Sequence, residues 1–150
     1  MGDAGVLVLG GPGAGKSDLV LRLIDQPGFG IGDVLLRAKL VSDDQTIIER
    51  RGDALYASSP GPIAGLLEIR GQGIVAVDFV PEVRVALVVR LAPSTAIERL
   101  PENNQINRIA GVALPEIAID PATVTAPARI RAALAGVPRD ELRQIRQGGA

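Results

Sequence analysis

Cysteine, histidine and tryptophan are all absent from the 150 residues. Without cysteine there are no disulfides and no thiolate metal sites, which fits a reducing compartment. Without histidine the usual proton carrier at neutral pH is missing, so chemistry has to rest on carboxylates, Lys, Arg, hydroxyls and a metal ion. Aromatic residues amount to 2%, one Tyr and two Phe, which leaves no platform for stacking bases. Nor is there a basic excess. Lys+Arg 16 against Asp+Glu 17 give a formal net charge of -1, and a protein that lives on a nucleic-acid backbone would be basic. The apolar run Val6–Leu9 is far too short to span a bilayer, and the chain starts with neither a basic segment nor a small-residue cleavage site. These absences lead us to expect a cytoplasmic protein with no nucleic-acid partner and no membrane.

What is present reads as one soluble domain, with hydrophobic residues at 47% and charged residues at 22%. Gly5–Gly10 is a nearly continuous apolar run bounded by glycines, the pattern of a strand buried on both faces. From Lys16 onward Leu19, Val20, Leu23 and Ile24 fall at helical spacing, up to Gln26-Pro27. Arg37–Asp44 reads as a second buried strand ending in two acids. Two short runs flank Arg51-Gly52-Asp53 as a hairpin, and that Arg-Gly-Asp is read as a turn. Pro60–Ile69 has the look of a short helix opened by proline. Ile74–Val77 and Val83–Val89 are strand-like, and Ser94–Glu102 begins with a helix-start pattern one residue too long for a capping box. "IAGVALPEIAI" returns to strand character, and "APARIRAALAG" and "PRDELRQIRQ" are two helices before a terminal segment, 148–150, expected to be disordered. Strands outnumber helices in mixed order, so an α/β fold with a partly antiparallel sheet is expected.

Gly10-Gly11-Pro12-Gly13-Ala14-Gly15-Lys16-Ser17 fits G-x-x-x-x-G-K-[ST] at every fixed position and stands between a strand and a helix, as a phosphate-binding loop must. Its glycines let successive backbone N–H groups turn toward an anion, and the helix start adds its positive end. Lys16 supplies a charge for the β- and γ-phosphates, and the Ser17 hydroxyl a ligand for Mg²⁺. The loop therefore implies a nucleotide or a similar polyphosphate.

Phosphoryl transfer also needs an acid on the metal side and an acceptor for the hydroxyl proton. Asp43 and Asp44 stand at the end of an apolar run, where the carboxyl ends of strands open on the ligand crevice of α/β sheets. Adjacent residues on a strand point to opposite sides, so one could hold Mg²⁺ while the other faces the acceptor. An acidic strand-to-turn exit is the plainer alternative. In "LLEIRGQGIVAV", Leu66–Val77, Glu68 and Arg70 interrupt an apolar stretch beside Gly71 and Gly73. From the residues alone they are either a structural ion pair or part of a site.

Together, "GGPGAGKS", "KLVSDD" and "LLEIRGQGIVAV" resemble, in order and spacing, the catalytic domain of HPr kinase/phosphorylase. The Leu-Leu-Glu-Ile-Arg-Gly run is the most distinctive part, and the likeness covers about residues 5–92. It is similar to the short alphaproteobacterial members. The resemblance implies a single-domain phosphate-loop fold of the phosphoenolpyruvate-carboxykinase-like kind, with a mixed sheet and helices. It implies an ATP- and Mg²⁺-dependent kinase for a serine of the phosphocarrier protein HPr, with reverse phosphorolysis in many members, and a homo-oligomer, a hexamer. By resemblance Gly10, Gly11, Pro12, Gly13, Ala14, Gly15, Lys16 and Ser17 hold the nucleotide, and Ser17 and Glu68 the metal. Asp44 is the base, with Asp43 beside it; Leu67–Ala76 matches the stretch implicated in both reactions.

Arg99 of "ERLPE" is the counterpart of a catalytic arginine, although by itself it reads equally as a solvated helix residue. The family's histidine lies on a strand just upstream of the phosphate loop, at a position before Met1, so the first family strand is expected to be missing and the acid–base step slowed. At Asp120-Pro121 longer relatives have a Pro-Gly loop flanked by arginines and associated with dephosphorylation, so kinase activity is expected over phosphorylase activity. Arg129, Arg131, Arg139, Arg143 and Arg146 are read as a solvated face or a dock for an acidic partner. The alternative function is a nucleotide- or phosphate-sensing regulatory domain derived from such a kinase.

Overall fold

The computed structural model of the chain describes residues 1–101 and 104–135. The predicted helix over "PRDELRQIRQ", the tail 148–150 and Arg139, Arg143 and Arg146 lie outside the described residues. Strand β1 (Ala4–Leu9) leads through the glycine loop into helix α1 (Lys16–Asp25), as the apolar runs predict. β2 (Ile47–Arg51) and β3 (Ala54–Ser58) form the expected hairpin about Gly52-Asp53. β4 (Leu66–Ile69) and β5 (Gly73–Ala76) form a second hairpin, a two-stranded sheet of its own. β6 (Glu82–Leu91), β7 (Gln105–Ile109), β8 (Val112–Ile119) and a helix over 126–135, here α2, complete the described chain.

The main sheet runs β2-β3-β6-β8-β7, with β1 also paired to β6. β1 and β8 lie parallel to β6, and the remaining pairs are antiparallel, so the sheet is mixed as expected. Val88, Val89 and Arg90 pair with Leu7, Val8 and Leu9 on one side and with Glu116, Ile117 and Ala118 on the other. β6 is the spine of the molecule.

Two apolar clusters use that spine. Leu87, Val89 and Ile119 pack with Leu19 and Leu23 of α1 and with Ala126, Ile130 and Leu134 of α2. Val85 and Val88 pack on the other face with Leu55, Ala57, Val112 and Leu114. Strict alternation would send Val85 and Leu87 to the same face. The β1–β6 register shifts there, Gly5 opposing Val85 and Val6 opposing Leu87, so Ala86 is an extra residue in β6. This bulge reverses the facing of everything before it, which is how one strand feeds both clusters.

Four local expectations are corrected. Pro60–Ile69 is not a helix: one 3-10 turn, Gly61–Ile63, is followed by Gly65 in the left-handed region (φ 71) and by β4, whose Leu67 is fully buried. Arg37–Asp44 is extended but carries only an isolated bridge, Leu40 to Phe79, rather than a sheet strand. Ser94 starts only a 3-10 turn, Ser94–Ala96, and its hydroxyl and its N–H both donate to Asp120. Arg131 is buried, not solvated, and its guanidinium donates to the carbonyls of Leu23 (2.9 Å) and Gln26 at the end of α1. It satisfies acceptors that a helix C-terminus leaves open. Of the described residues, no helix is long and apolar enough to cross a membrane.

Candidate functional site

The phosphate loop closes the parallel end of β1 onto α1. Gly15 is the N-cap of α1 with φ 96, a conformation L side chains rarely adopt, and no side chain caps the helix. The first N–H groups of α1 therefore have no side-chain acceptor and are available to an anion. The Ala14 N–H donates to the Gly11 carbonyl at 3.1 Å, which holds the loop in a tight coil. Lys16 folds back over it, its Nζ donating to the carbonyls of Gly10 (2.6 Å) and Gly11 (3.2 Å). Those bonds hold the ammonium over the glycine loop.

Two pieces from later in the sequence close on this loop. Ser42 donates its hydroxyl to the Gln45 carbonyl, and the Gln45 N–H donates to the Asp43 carbonyl at 2.7 Å. This small turn holds Asp44 at φ 61, a region in which Asp is among the better tolerated residues. The two acids therefore diverge because of the turn, and not because of strand alternation. The half-buried Asp43 accepts the Ser17 hydroxyl on Oδ1 at 2.8 Å and the Glu68 backbone N–H on Oδ2 at 3.0 Å. One carboxylate thus ties the helix start, the acidic turn and the β4–β5 hairpin together. Asp44, in turn, lines the cleft that results.

That cleft holds about 470 Å³ and is walled by Pro12–Asp18, Asp44, Glu68 and Arg70. Glu68 and Arg70 do not pair with each other within 4 Å, so the alternative of a structural ion pair between them is not realised. A larger cavity of about 620 Å³ lies at the other end of β1 and β6, near Asp3, Asp53 and Arg84, and none of the phosphate-loop residues line it. Among the described residues no group of three or more His, Cys, Asp or Glu converges as a metal cage. The oxygens of Ser17, Asp43 and Glu68 are hard donors. They fit Mg²⁺, which commonly takes one or two carboxylates and leaves other positions to water and phosphate.

Of the residues singled out from the sequence, Lys16, Ser17, Asp43, Asp44, Glu68 and the loop Gly10–Gly15 come together here. Arg99 lies on an exposed bend beyond the 3-10 turn and is not among the residues lining the cleft. The sequence reading marked the loop that follows β8 only as the place where longer relatives carry a Pro-Gly loop, and gave it no part in the site. There Asp120 accepts the Ser94 hydroxyl at 2.6 Å and the N–H groups of Ser94 and Ala122, and these bonds hold its carboxyl below the usual carboxylate range. Arg22 of α1 donates to the carbonyls of Pro121 and Thr123, which seats this loop beside Gly15. Only the isolated Asp-Pro pair marked it in the sequence.

The fold has a counterpart among solved structures, and the sequence has relatives. The HPr(Ser) kinase/phosphatase from Coxiella burnetii superposes with a TM-score of 0.72 at 26% identity, covering 93% of this chain and 91% of that one. HPr kinase/phosphorylase of Limosilactobacillus reuteri (strain DSM 20016) is 28% identical over 126 residues, 77% of this chain and 36% of that protein. The protein of the same description from Chlorobium chlorochromatii (strain CaD3) is 35% identical over 123 residues, 74% of this chain and 34% of the relative. The chain thus spans about a third of the length of the curated relatives it matches. The sequence model of the HPr Serine kinase C-terminal domain matches residues 1–136, which include the phosphate loop, the acidic turn and the β4–β5 hairpin. On that match the chain belongs to the HPr serine kinase C-terminal domain family.

Proposed function

We propose that the chain is a nucleotide- and Mg²⁺-dependent serine kinase domain that phosphorylates the phosphocarrier protein HPr. The observation that carries this reading is the bridge from Ser17 through Asp43 to the Glu68 N–H, at 2.8 and 3.0 Å, because it gathers three separate sequence motifs at one cleft. The loop Gly10–Ser17 binds the phosphates through its N–H groups, and Lys16 leaves its two carbonyls for the β- and γ-phosphates. Ser17 and Glu68, with Asp43 behind them, would hold Mg²⁺, which supplies charge neutralisation at the phosphate oxygens when bound. Asp44 accepts the proton of the acceptor serine as its oxygen attacks the γ-phosphorus and the bond to the departing diphosphate breaks. Little else is required, since phosphoryl transfer depends mainly on positioning and electrostatics.

The test is to incubate the chain with Mg-ATP and HPr and to follow HPr by intact mass. The expected result is one added phosphoryl group, located on serine, with the wild type. Asp44→Asn should slow the transfer by at least about a hundredfold, the usual range for a lost general base. Nucleotide binding with no change in the mass of HPr would sink the kinase reading and leave a nucleotide-sensing domain.

A further inference from the structure

Arg70 sits at the tip of the β4–β5 hairpin, where the Gln72 N–H closes the turn onto the Ile69 carbonyl at 2.9 Å. It lines the phosphate cleft together with Gly13–Ser17, Asp44 and Glu68. Its guanidinium forms no ion pair among the described residues. Arg22, Arg50, Arg51, Arg90 and Arg131 are all occupied with carboxylates or carbonyls. Arg70 is exposed and faces a cleft built for an anion.

Its placement is well determined by the backbone. Leu67 is fully buried and anchors the hairpin, and the Glu68 N–H is bonded to Asp43. Arg70 directly follows Ile69, the last residue of β4, in the closing turn, and its side chain and that of Glu68 both line the cleft. Charge gives the direction of the argument. The cleft and its rear wall carry the carboxylates of Asp43, Asp44 and Glu68 against the single ammonium of Lys16. A triphosphate brought among these acids needs a second fixed cation, and a guanidinium fork matches phosphate oxygens two at a time. Lys16 reaches from the loop side, whereas Arg70 lines the cleft from the hairpin side.

We propose that Arg70 is a catalytic residue whose guanidinium binds the γ-phosphoryl oxygens of the nucleotide and stabilises their charge during transfer. The proposal rests on the kinase reading above. It assigns to the hairpin tip a role in telling a nucleoside triphosphate from a diphosphate, since only the former presents a γ-phosphoryl group.

Calorimetric titration of the full chain with Mg-ATP and with Mg-ADP tests it, comparing wild type, Arg70→Ala and Arg70→Lys, with circular dichroism to verify folding. Arg70→Ala should weaken Mg-ATP binding by roughly ten- to a hundredfold, the range for a lost charge-assisted bond, and leave Mg-ADP within about twofold. Arg70→Lys should recover part of the ATP affinity, because the charge remains and the fork is lost. Equal losses for the two nucleotides would overturn the proposal, because the side chain would then be supporting the hairpin. Unchanged binding of both would overturn it as well. A wild type that binds neither nucleotide would instead sink the kinase reading, and this inference with it.

Discussion

Single side chains in this molecule act by holding separate segments together, and Asp120 shows the energetics most directly. Its carboxylate accepts the Ser94 hydroxyl and two N–H groups, all of which favour the charged form. With its folded pKa below the unfolded value of about 4, Asp120 stabilises the fold above that pH. The contribution disappears as pH falls through the folded pKa. Asp120→Asn should therefore lower the urea midpoint at pH 7, and the gap from wild type should narrow steadily below about pH 4. A gap of constant size down to pH 3 would mean that the charge contributes nothing. Asp43 also joins separate segments, at the cleft, yet the sequence disclosed only half of its role. Its neighbourhood in "KLVSDD" announced chemistry, but the bond to the Glu68 N–H joins residues 25 apart and depends on a turn set by Ser42 and Gln45. No periodicity records such a turn.

At the scale of elements, apolar pattern alone predicted β1, α1 and the β2–β3 hairpin, because each has a local period and a glycine or proline boundary. Pro60–Ile69 was misread as a helix for a physical reason. A short apolar run has no distinguishing period, and the cross-strand pairing Leu66–Ala76 to Ile69–Gly73 is what makes it a strand. The bulge at Ala86 was equally hidden, since Val83–Val89 reads as one uninterrupted buried strand. It makes a sharp prediction. Deleting Ala86 makes Val85 and Leu87 neighbours, and plain alternation then sends them to opposite faces as the bulge does now, so the deletion keeps both clusters and should still give a cooperative thermal transition. Inserting an alanine after Ala86 instead, while the bulge still holds one extra residue, turns Val85 toward the first cluster and Arg84 toward the second. Burying that charge costs several kcal/mol, on the order of the whole stability of a domain this size, so the insertion should yield no cooperative transition. Ala86→Gly keeps the residue count and should melt within a few degrees of wild type, so insertion and substitution separate register from side chain.

The molecule as a whole sets α1 and α2 on one face of β6, a second cluster on the other, and the phosphate cleft at the end where β1 stops. The cleft belongs to no single element. It exists only while the glycine loop, the turn at Asp43-Asp44 and the β4–β5 hairpin stay docked, and these are joined chiefly through Asp43. A ligand held by all three binds the folded chain and has no comparable site on the unfolded one, so it must raise the melting temperature by mass action. At one hundred times its Kd, Mg-nucleotide would add about 2.7 kcal/mol. For 150 residues that corresponds to a rise of roughly 5–10 °C. On the proposed reading, in which Ser17 and Glu68 hold Mg²⁺ beside the phosphates, chelating the metal should shrink the rise. Lys16→Ala should nearly remove it, although Lys16 is tied in the free protein only to two loop carbonyls and its loss costs the fold little. A rise that survives Lys16→Ala would place the nucleotide somewhere other than the phosphate loop. The free variant melting near the wild type while the ligand-induced rise vanishes is the pattern expected of a residue that serves the ligand rather than the fold.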